Sequence, residues 1–391
     1  MIPGVDPDRP GVYVHVPFCT HRCDYCAFTT FTDRGHLIGE YVDACVTHVG
    51  RLVASGRLVE AATVYVGGGT PSLVPSADLA RLLDAIPRAA DAEVTVEVNP
   101  DSVDGTALAT YRSAGVTRVS VGVQSTRPTV LAALGRTHDR DNVTRTVDAL
   151  HRVGLPSWNL DLIVGAAGET DADLDATLDE VLALEPPHLS VYGLMVEPGT
   201  PLARRVADGE VPAPDPDVQA DRYLVADARL TAAGLDWYEV SNWARPGHEC
   251  RHNLGYWAGA DCLAVGAAAH GHLAGTRWVN VPTPESYVRR VADGLDPAAS
   301  SETVGPATRE RERTGLALRT RWGVPVPPDR TDRLADLVGA GLVEVTDGRV
   351  VCTPAGRLLA SEVTLALWPD AHDDPDGPSP AARPGVGTRY H

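Results

Sequence analysis

Short apolar, β-branched runs recur through the first half of the chain, each followed by a longer stretch with helical spacing. The runs are VYVHV (12–16), TVYVG (63–67), EVTVEV (93–98), RVSVGV (118–123), NLDLIV (159–164) and HLSVYGL (188–194). Between them lie amphipathic segments such as ADLARLLDAIPRAA and DADLDATLDEVLALE, whose apolar residues return at the period of one helix face. Strands alternating with helices predict βαβ units and a parallel sheet, hence an α/β fold. Six such units fit a partial or complete TIM-type barrel better than a short sandwich. The unusual residues cluster at the C-terminal ends of these strands. A cysteine loop follows the first and Gly67-Gly68-Gly69-Thr70-Pro71 the second; Glu97 and Asn99 follow the third, Gln124 ends the fourth, and Asp161 lies in the fifth. In (β/α) barrels that end carries the active site.

The rhythm changes near residue 230, giving WYEVSNWARPGHECRHNLGYW and then the Gly- and Ala-rich LAVGAAAHGHL. From about 304 a separate unit begins with a charged helix. It continues as a second helix, a short strand, the Asp347-Gly348 turn, another strand and a final helix, a winged-helix-like α+β pattern. The expected division is therefore a barrel over 1–230, an extension over 231–303, a small C-terminal domain over 304–368 and a disordered tail over 369–391. That tail is rich in Pro, Gly and Asp.

Charge narrows the possible partners. A formal net charge of −18 argues against broad binding to nucleic acid, which needs a basic surface, and nothing indicates peripheral membrane contact. The acidity also disfavours a DNA regulator built on the small domain. Every side-chain cation apart from histidine is arginine, since the chain contains no lysine; a P-loop lysine and a lysine Schiff base are excluded. The N-terminal MIPGVDPDRP has no basic or apolar signal character, and seven cysteines, an odd number clustered at one end, do not resemble a secreted disulfide framework. A cytoplasmic protein is expected.

Three of those cysteines, Cys19, Cys23 and Cys26, lie within the stretch HVPFCTHRCDYCAF. Structural zinc normally takes four protein ligands, and no fourth ligand stands at a familiar spacing; His15 and His21 are awkwardly placed. A [4Fe–4S] cluster takes one thiolate per iron, so three would leave one iron open to a small molecule. All three phenylalanines of the chain, Phe18, Phe28 and Phe31, flank this run and could shield a water-sensitive group. Cys45, Cys262 and Cys352 are dispersed and read as small buried residues.

The C-x3-C-x2-C spacing is highly specific for radical S-adenosylmethionine (SAM) proteins. Together with YVHVPFC, VGGGTPS, VEVNP, SVGVQS, LGRTH and NLDLI, the chain resembles the oxygen-independent coproporphyrinogen III oxidase family over nearly its whole folded length. The resemblance implies a partial (β/α)6 barrel, a [4Fe–4S] cluster on Cys19, Cys23 and Cys26, and SAM on the open iron. Carried over by motif, Tyr13 stands beside the cluster, Gly68, Gly69 and Thr70 meet the methionine portion, and Glu97, Gln124, Arg136 and Asp161 supply further SAM contacts. Glycines permit close backbone approach and free N–H groups can meet a carboxylate. Taken singly, each polar residue reads as an ordinary ion pair; their shared placement at strand ends lifts them above that.

The family's dehydrogenase branch carries a further cysteine two positions on, where this chain has Cys26-Ala27-Phe28. The chain instead resembles the HemW-type haem-chaperone branch. His-Asn-Leu-Gly-Tyr at 252–256 is similar to that branch's HNxxY motif, and imidazole is a common axial ligand of haem iron. His252 is thus the expected haem contact, with Asn253 and Tyr256 shaping its surroundings and Cys250 an alternative thiolate. The implied function is a chaperone that binds haem and hands it to an acceptor protein, with no catalytic residue assigned and an electron donor as a further partner. The competing expectation is a coproporphyrinogen III dehydrogenase performing radical oxidative decarboxylation. Radical methylation or RNA modification fits the acidity and the motifs less well.

Overall fold

The computed structural model describes residues 2–328 and 330–368; the expected tail over 369–391 lies outside them. Fifteen strands follow in chain order among these residues: β1 (Gly11–Val16), β2 (Ala61–Gly68), β3 (Arg88–Val98), β4 (Arg118–Gln124), β5 (Ser157–Val164), β6 (His188–Gly193), β7 (Asp236–Glu239), β8 (Asn242–Ala244), β9 (Cys262–Val265), β10 (His270–Leu273), β11 (Thr276–Asn280), β12 (Ala298–Thr303), β13 (Val324–Pro325), β14 (Val343–Thr346) and β15 (Arg349–Cys352). The first helices are α1 (Ile38–Ala54), α2 (Ser76–Asp84), α3 (Gly105–Ser113), α4 (Pro128–Ala133), α5 (Arg140–Val153), α6 (Asp171–Leu182), α7 (Pro201–Ala207) and α8 (Pro216–Ala232). They are followed by α9 (Arg251–Trp257), α10 (Pro284–Ala292), α11 (Pro306–Ala317), α12 (Thr331–Gly339), α13 (Pro354–Leu358) and α14 (Ala360–Leu367).

β1 to β6 pair in sequence order, all parallel, as the six apolar runs predict. The barrel does not close on itself. β9 adds a further parallel strand beside β1, and antiparallel β10–β12 continue from it, while β8 and β7 extend the sheet antiparallel beyond β6. Residues 231–303 therefore contribute six strands to the main sheet, which the apolar runs alone did not announce. The reason is length: these strands span only three to six residues, too short for a clear period.

Strand alternation divides the barrel into two chemically distinct faces. Val12, Val14, Val64, Val66, Val94, Val96, Val119, Val121, Leu160, Leu162, Leu189 and Val191 face outward and are buried in the main core beneath the helices. The intervening residues face the lumen and are mostly polar: Tyr13 and His15, Thr63 and Tyr65, Glu93, Thr95 and Glu97, Arg118 and Ser120, Asn159 and Asp161, His188 and Ser190. Side chains cap several helices. Thr170 and Asp173 form a reciprocal capping box on α6, and Asp139 with Asn142 does the same for α5.

The C-terminal unit has its own core of Leu318, Val324, Leu334, Leu337, Val343, Val350, Val363 and Leu367. Its antiparallel sheet runs β13-β15-β14. Arg321 donates to Glu249 at 2.7 Å and Arg357 to Asp227 at 3.0 Å, tying it to the barrel.

Candidate cofactor site

The cysteine loop leaves the C-terminal end of β1 and is held at several points by backbone bonds. Phe31 N–H donates to Pro17 O (2.8 Å) and Cys19 N–H to Phe31 O (3.1 Å), so the loop closes on itself. Asp24 anchors its middle: its N–H donates to Leu134 O, its carbonyl accepts from Leu202 N–H at 2.8 Å, and its carboxylate accepts from Arg205 at 2.7 Å. The three cysteines are free and half-buried, whereas the other four are buried. Burial pushes the Cys26 thiol up to about 11 and raises that of Cys19. Among the described residues, no three His, Cys, Asp or Glu converge closely enough to hold one metal ion. The phenylalanines divide: Phe18 is sealed, edge-on to Tyr41 at 5.2 Å, but Phe28 is 37% exposed, so the run forms no continuous apolar shield.

The Gly68-Gly69-Thr70 segment lies against this loop. Gly69 N–H donates to Val16 O and Thr70 N–H to Phe18 O, both at 2.8 Å. Thr70 Oγ1 donates to Cys19 Sγ at 3.6 Å. Gly68 has φ +112°, and a Cβ there would fall 2.4 Å from the His15 ring; one on Gly69 would fall 2.6 Å from Phe18 O. Only glycine fits such a conformation and such close approach. His15 is itself fixed: Nε2 donates to Thr29 O (2.9 Å), leaving Nδ1 to accept from Tyr13 OH (3.1 Å).

The remaining expected SAM contacts gather on the same mouth and lumen. Glu97 accepts from Tyr65 OH at 2.7 Å and from Gly68 N–H at 3.0 Å; burial pushes its carboxyl up to about 7 against these two bonds. Arg136 donates to Asn99 Oδ1 (2.9 Å), Gly122 O (2.8 Å) and Cys23 Sγ (3.5 Å), and Asn99 donates to Thr70. Asp161 accepts from Ser120 (2.8 Å) and Asn159 (2.7 Å), with burial raising its carboxyl. Gln124 has φ +63°, a strained value for a side chain of its size. These features fit a cluster and SAM: three thiols on one loop, a guanidinium beside one of them, a glycine cradle that a side chain would fill, and buried carboxyls.

His252 lies elsewhere. It sits on α9, and its ring meets Thr63 near the start of β2, at the opposite end of the strands from the cysteine loop. Nδ1 pairs with Thr63 Oγ1 at 2.8 Å and Nε2 with Tyr256 OH at 3.1 Å. The side chain is only 3% exposed, and burial lowers its pKa to about 3, so the ring is neutral. The cavity beside it is about 20 Å³, whereas small-molecule sites span about 300–1,000 Å³. Both ring nitrogens thus face hydroxyls, those of Thr63 and Tyr256, in this arrangement. Cys250 is equally enclosed, its thiol donating to Glu93 at 3.5 Å.

Residues 13–181 match the Radical SAM superfamily. The chain is 44% identical to a protein named heme chaperone HemW from Mycobacterium tuberculosis, over 94% of this chain and 97% of that one. A Bacillus subtilis protein of the same name is 32% identical over 90% and 97%. This chain belongs to the HemW family. A solved structure of Escherichia coli coproporphyrinogen III oxidase (HemN), described as a radical SAM enzyme, superimposes with TM-score 0.80 over 93% of this chain and 91% of that one. Its 24% identity supports the shared barrel fold.

Several residues that build this HemW-family site escaped the sequence reading. Tyr65 and Thr63 sit in a run read only as a strand, and Glu93 opens the next. Glu93 accepts from Arg251 N–H (3.1 Å) and His252 N–H (3.0 Å), capping α9 from the sheet. The available signal was alternation: apolar residues at every second position leave Thr63-Tyr65 and Glu93-Thr95-Glu97 on one face.

Proposed function

We propose that this protein is a haem chaperone of the radical SAM type, binding haem as cargo and transferring it to an acceptor protein. The observation that carries this reading is the near end-to-end match to a relative named as a haem chaperone. Cys19, Cys23 and Cys26 would hold a [4Fe–4S] cluster, which when bound offers an open iron to the amino and carboxylate groups of SAM and a route for one electron. Gly68 and Gly69, whose N–H groups are already bonded to Glu97 and Val16 O, would serve by letting the methionine portion approach closely, with Thr70 and Tyr13 lying beside the cysteine loop. Glu97 and Asp161 are acceptors for hydroxyl or ammonium groups, Arg136 is a donor for a carboxylate, and Gln124 lines the mouth. An acceptor protein and an electron donor are the partners in this reading, and the cytoplasm its place. Among the described residues, no helix is long and apolar enough to cross a membrane.

Anaerobic reconstitution with iron and sulfide, followed by haem titration, tests the reading. The expected result is a brown protein that gains a Soret band with stoichiometric haem and passes it to an apo-haemoprotein. Cys23→Ala should abolish the iron–sulfur absorption. Conversion of coproporphyrinogen III to protoporphyrinogen IX by the same preparation, without haem uptake, would replace the chaperone with the dehydrogenase.

A further inference from the structure

Helix α9 lies against the starts of β1 and β2 and is bonded to Glu93 of β3, and two lines of contact run from it to the mouth. In the first, the His252 ring stacks on Tyr65, with centroids 5.1 Å apart and planes at 27°. Tyr65 OH donates to one oxygen of Glu97, whose other oxygen accepts from Gly68 N–H. Two residues, Tyr65 and Glu97, thus link the floor to the glycine loop by direct contacts. In the second, Asn253 bonds the buried carboxyl of Glu239, which accepts from Asn242. Asn242 in turn accepts from Ser190 at 2.6 Å, and Asn159 donates to both Ser190 (3.0 Å) and Asp161 (2.7 Å). The third residue of the motif, Tyr256, reaches His252 Nε2 and lies 3.7 Å from Cys262 Sγ under β9. His, Asn and Tyr of HNLGY are all spent on the interior of the barrel.

We propose that the HNLGY helix is the floor of the SAM lumen, and that His252 and Asn253 are positioning residues for the two carboxyls, Glu97 and Asp161, that meet SAM. The proposal rests on the reading that SAM occupies the mouth. Preorganisation of the two carboxyls is the physical basis. A carboxyl that accepts from a fixed phenol and a fixed backbone N–H has one orientation, and an incoming ligand meets it without reordering cost. Tyr65 stacks on the rings of both His252, itself bonded at both nitrogens, and Tyr13, 6.2 Å away. Removing the imidazole frees the phenol to tilt into the space left behind, and Glu97 then loses its first partner. On the Asp161 side the chain of amides and hydroxyls fixes which Asn159 atom faces the carboxylate: Asn159 Oδ1 pairs with His188 Nδ1, so its amide N–H groups point at Ser190 and Asp161.

The test measures SAM binding and haem spectra on the full chain with its cluster reconstituted, using His252→Ala, Tyr65→Phe and, as a packing control, Leu318→Ala in the small domain. His252→Ala and Tyr65→Phe should each raise the SAM dissociation constant about ten- to a hundredfold, the range typical of groups that orient a ligating residue. The Soret position of added haem should stay where it is in the unsubstituted protein, and Leu318→Ala should leave SAM affinity unchanged. An unsubstituted protein that takes up no SAM removes the cofactor reading itself. SAM binding that persists unchanged in both lumen variants overturns the floor alone, as does weakening shared equally by Leu318→Ala. Loss of the Soret band in His252→Ala with SAM affinity intact also overturns it and returns the imidazole to haem iron. Should His252→Ala fail to fold, Tyr65→Phe, which keeps the ring and deletes one hydroxyl, decides the question.

Discussion

Glu239 is a carboxyl held almost wholly inside the protein, with Asn242, Asn253 and Trp257 as its partners. Burial pushes its pKa up to about 7 from an ordinary 4.5, and the hydrogen bonds only partly offset this. The folded state therefore binds more protons than the unfolded chain between these two values, so this group's stabilising contribution is fully present below the lower value and is lost as pH rises through the upper one. Glu239→Gln lacks that dependence. Its melting temperature relative to the unsubstituted protein should climb from pH 5 to pH 8, and a flat difference would show that Glu239 is ionised in the fold throughout. Gly68 makes a second prediction at this scale. Gly68→Ala drives a methyl into the His15 ring at a backbone angle that favours glycine, so it should lower both thermal stability and SAM affinity; calorimetry and equilibrium dialysis read the two losses.

Among the elements, those with a strong period were legible and those held by distant partners were not. β1 to β6 announce themselves because each carries valine or leucine at every second position, and the two-residue Asp347-Gly348 turn fixes the β14–β15 hairpin. Helix α9 is the opposite case. It is one of the shorter helices, seven residues long, and is capped by Glu93 from a strand about 160 residues away in the sequence. Nothing local distinguishes it from a loop. The small domain depends on its own compact core, where Leu318 is completely buried. Leu318→Ala should cost about 2–5 kcal/mol of that domain's stability, seen as an early transition in urea that leaves the barrel's fluorescence change in place. A loss below about 1 kcal/mol would mean the site collapses around the deletion.

At the scale of the molecule, the barrel separates two chemistries by direction: apolar side chains face the helices and polar ones the lumen. Burial, rather than direction, sorts the cysteines. Cys19, Cys23 and Cys26 should react with a thiol reagent in the cluster-free native protein, while Cys45, Cys250, Cys262 and Cys352 should react only after unfolding. Reconstitution should protect the first three, as mass spectrometry of the alkylated chain would record. Rapid native labelling of Cys250 would contradict the closed floor around α9.

Repeating valines were enough to establish the parallel sheet, and the cysteine spacing the kind of cofactor expected on the loop after its first strand, because each depends on neighbours within a few residues. The place of His252 was not available in that way. Its meaning depends on Thr63, Tyr65 and Tyr256, two of them nearly 190 residues distant in the chain, and a short motif cannot say whether its imidazole faces solvent or a phenol. Folding brought those groups together, and burial then consumed both ring nitrogens.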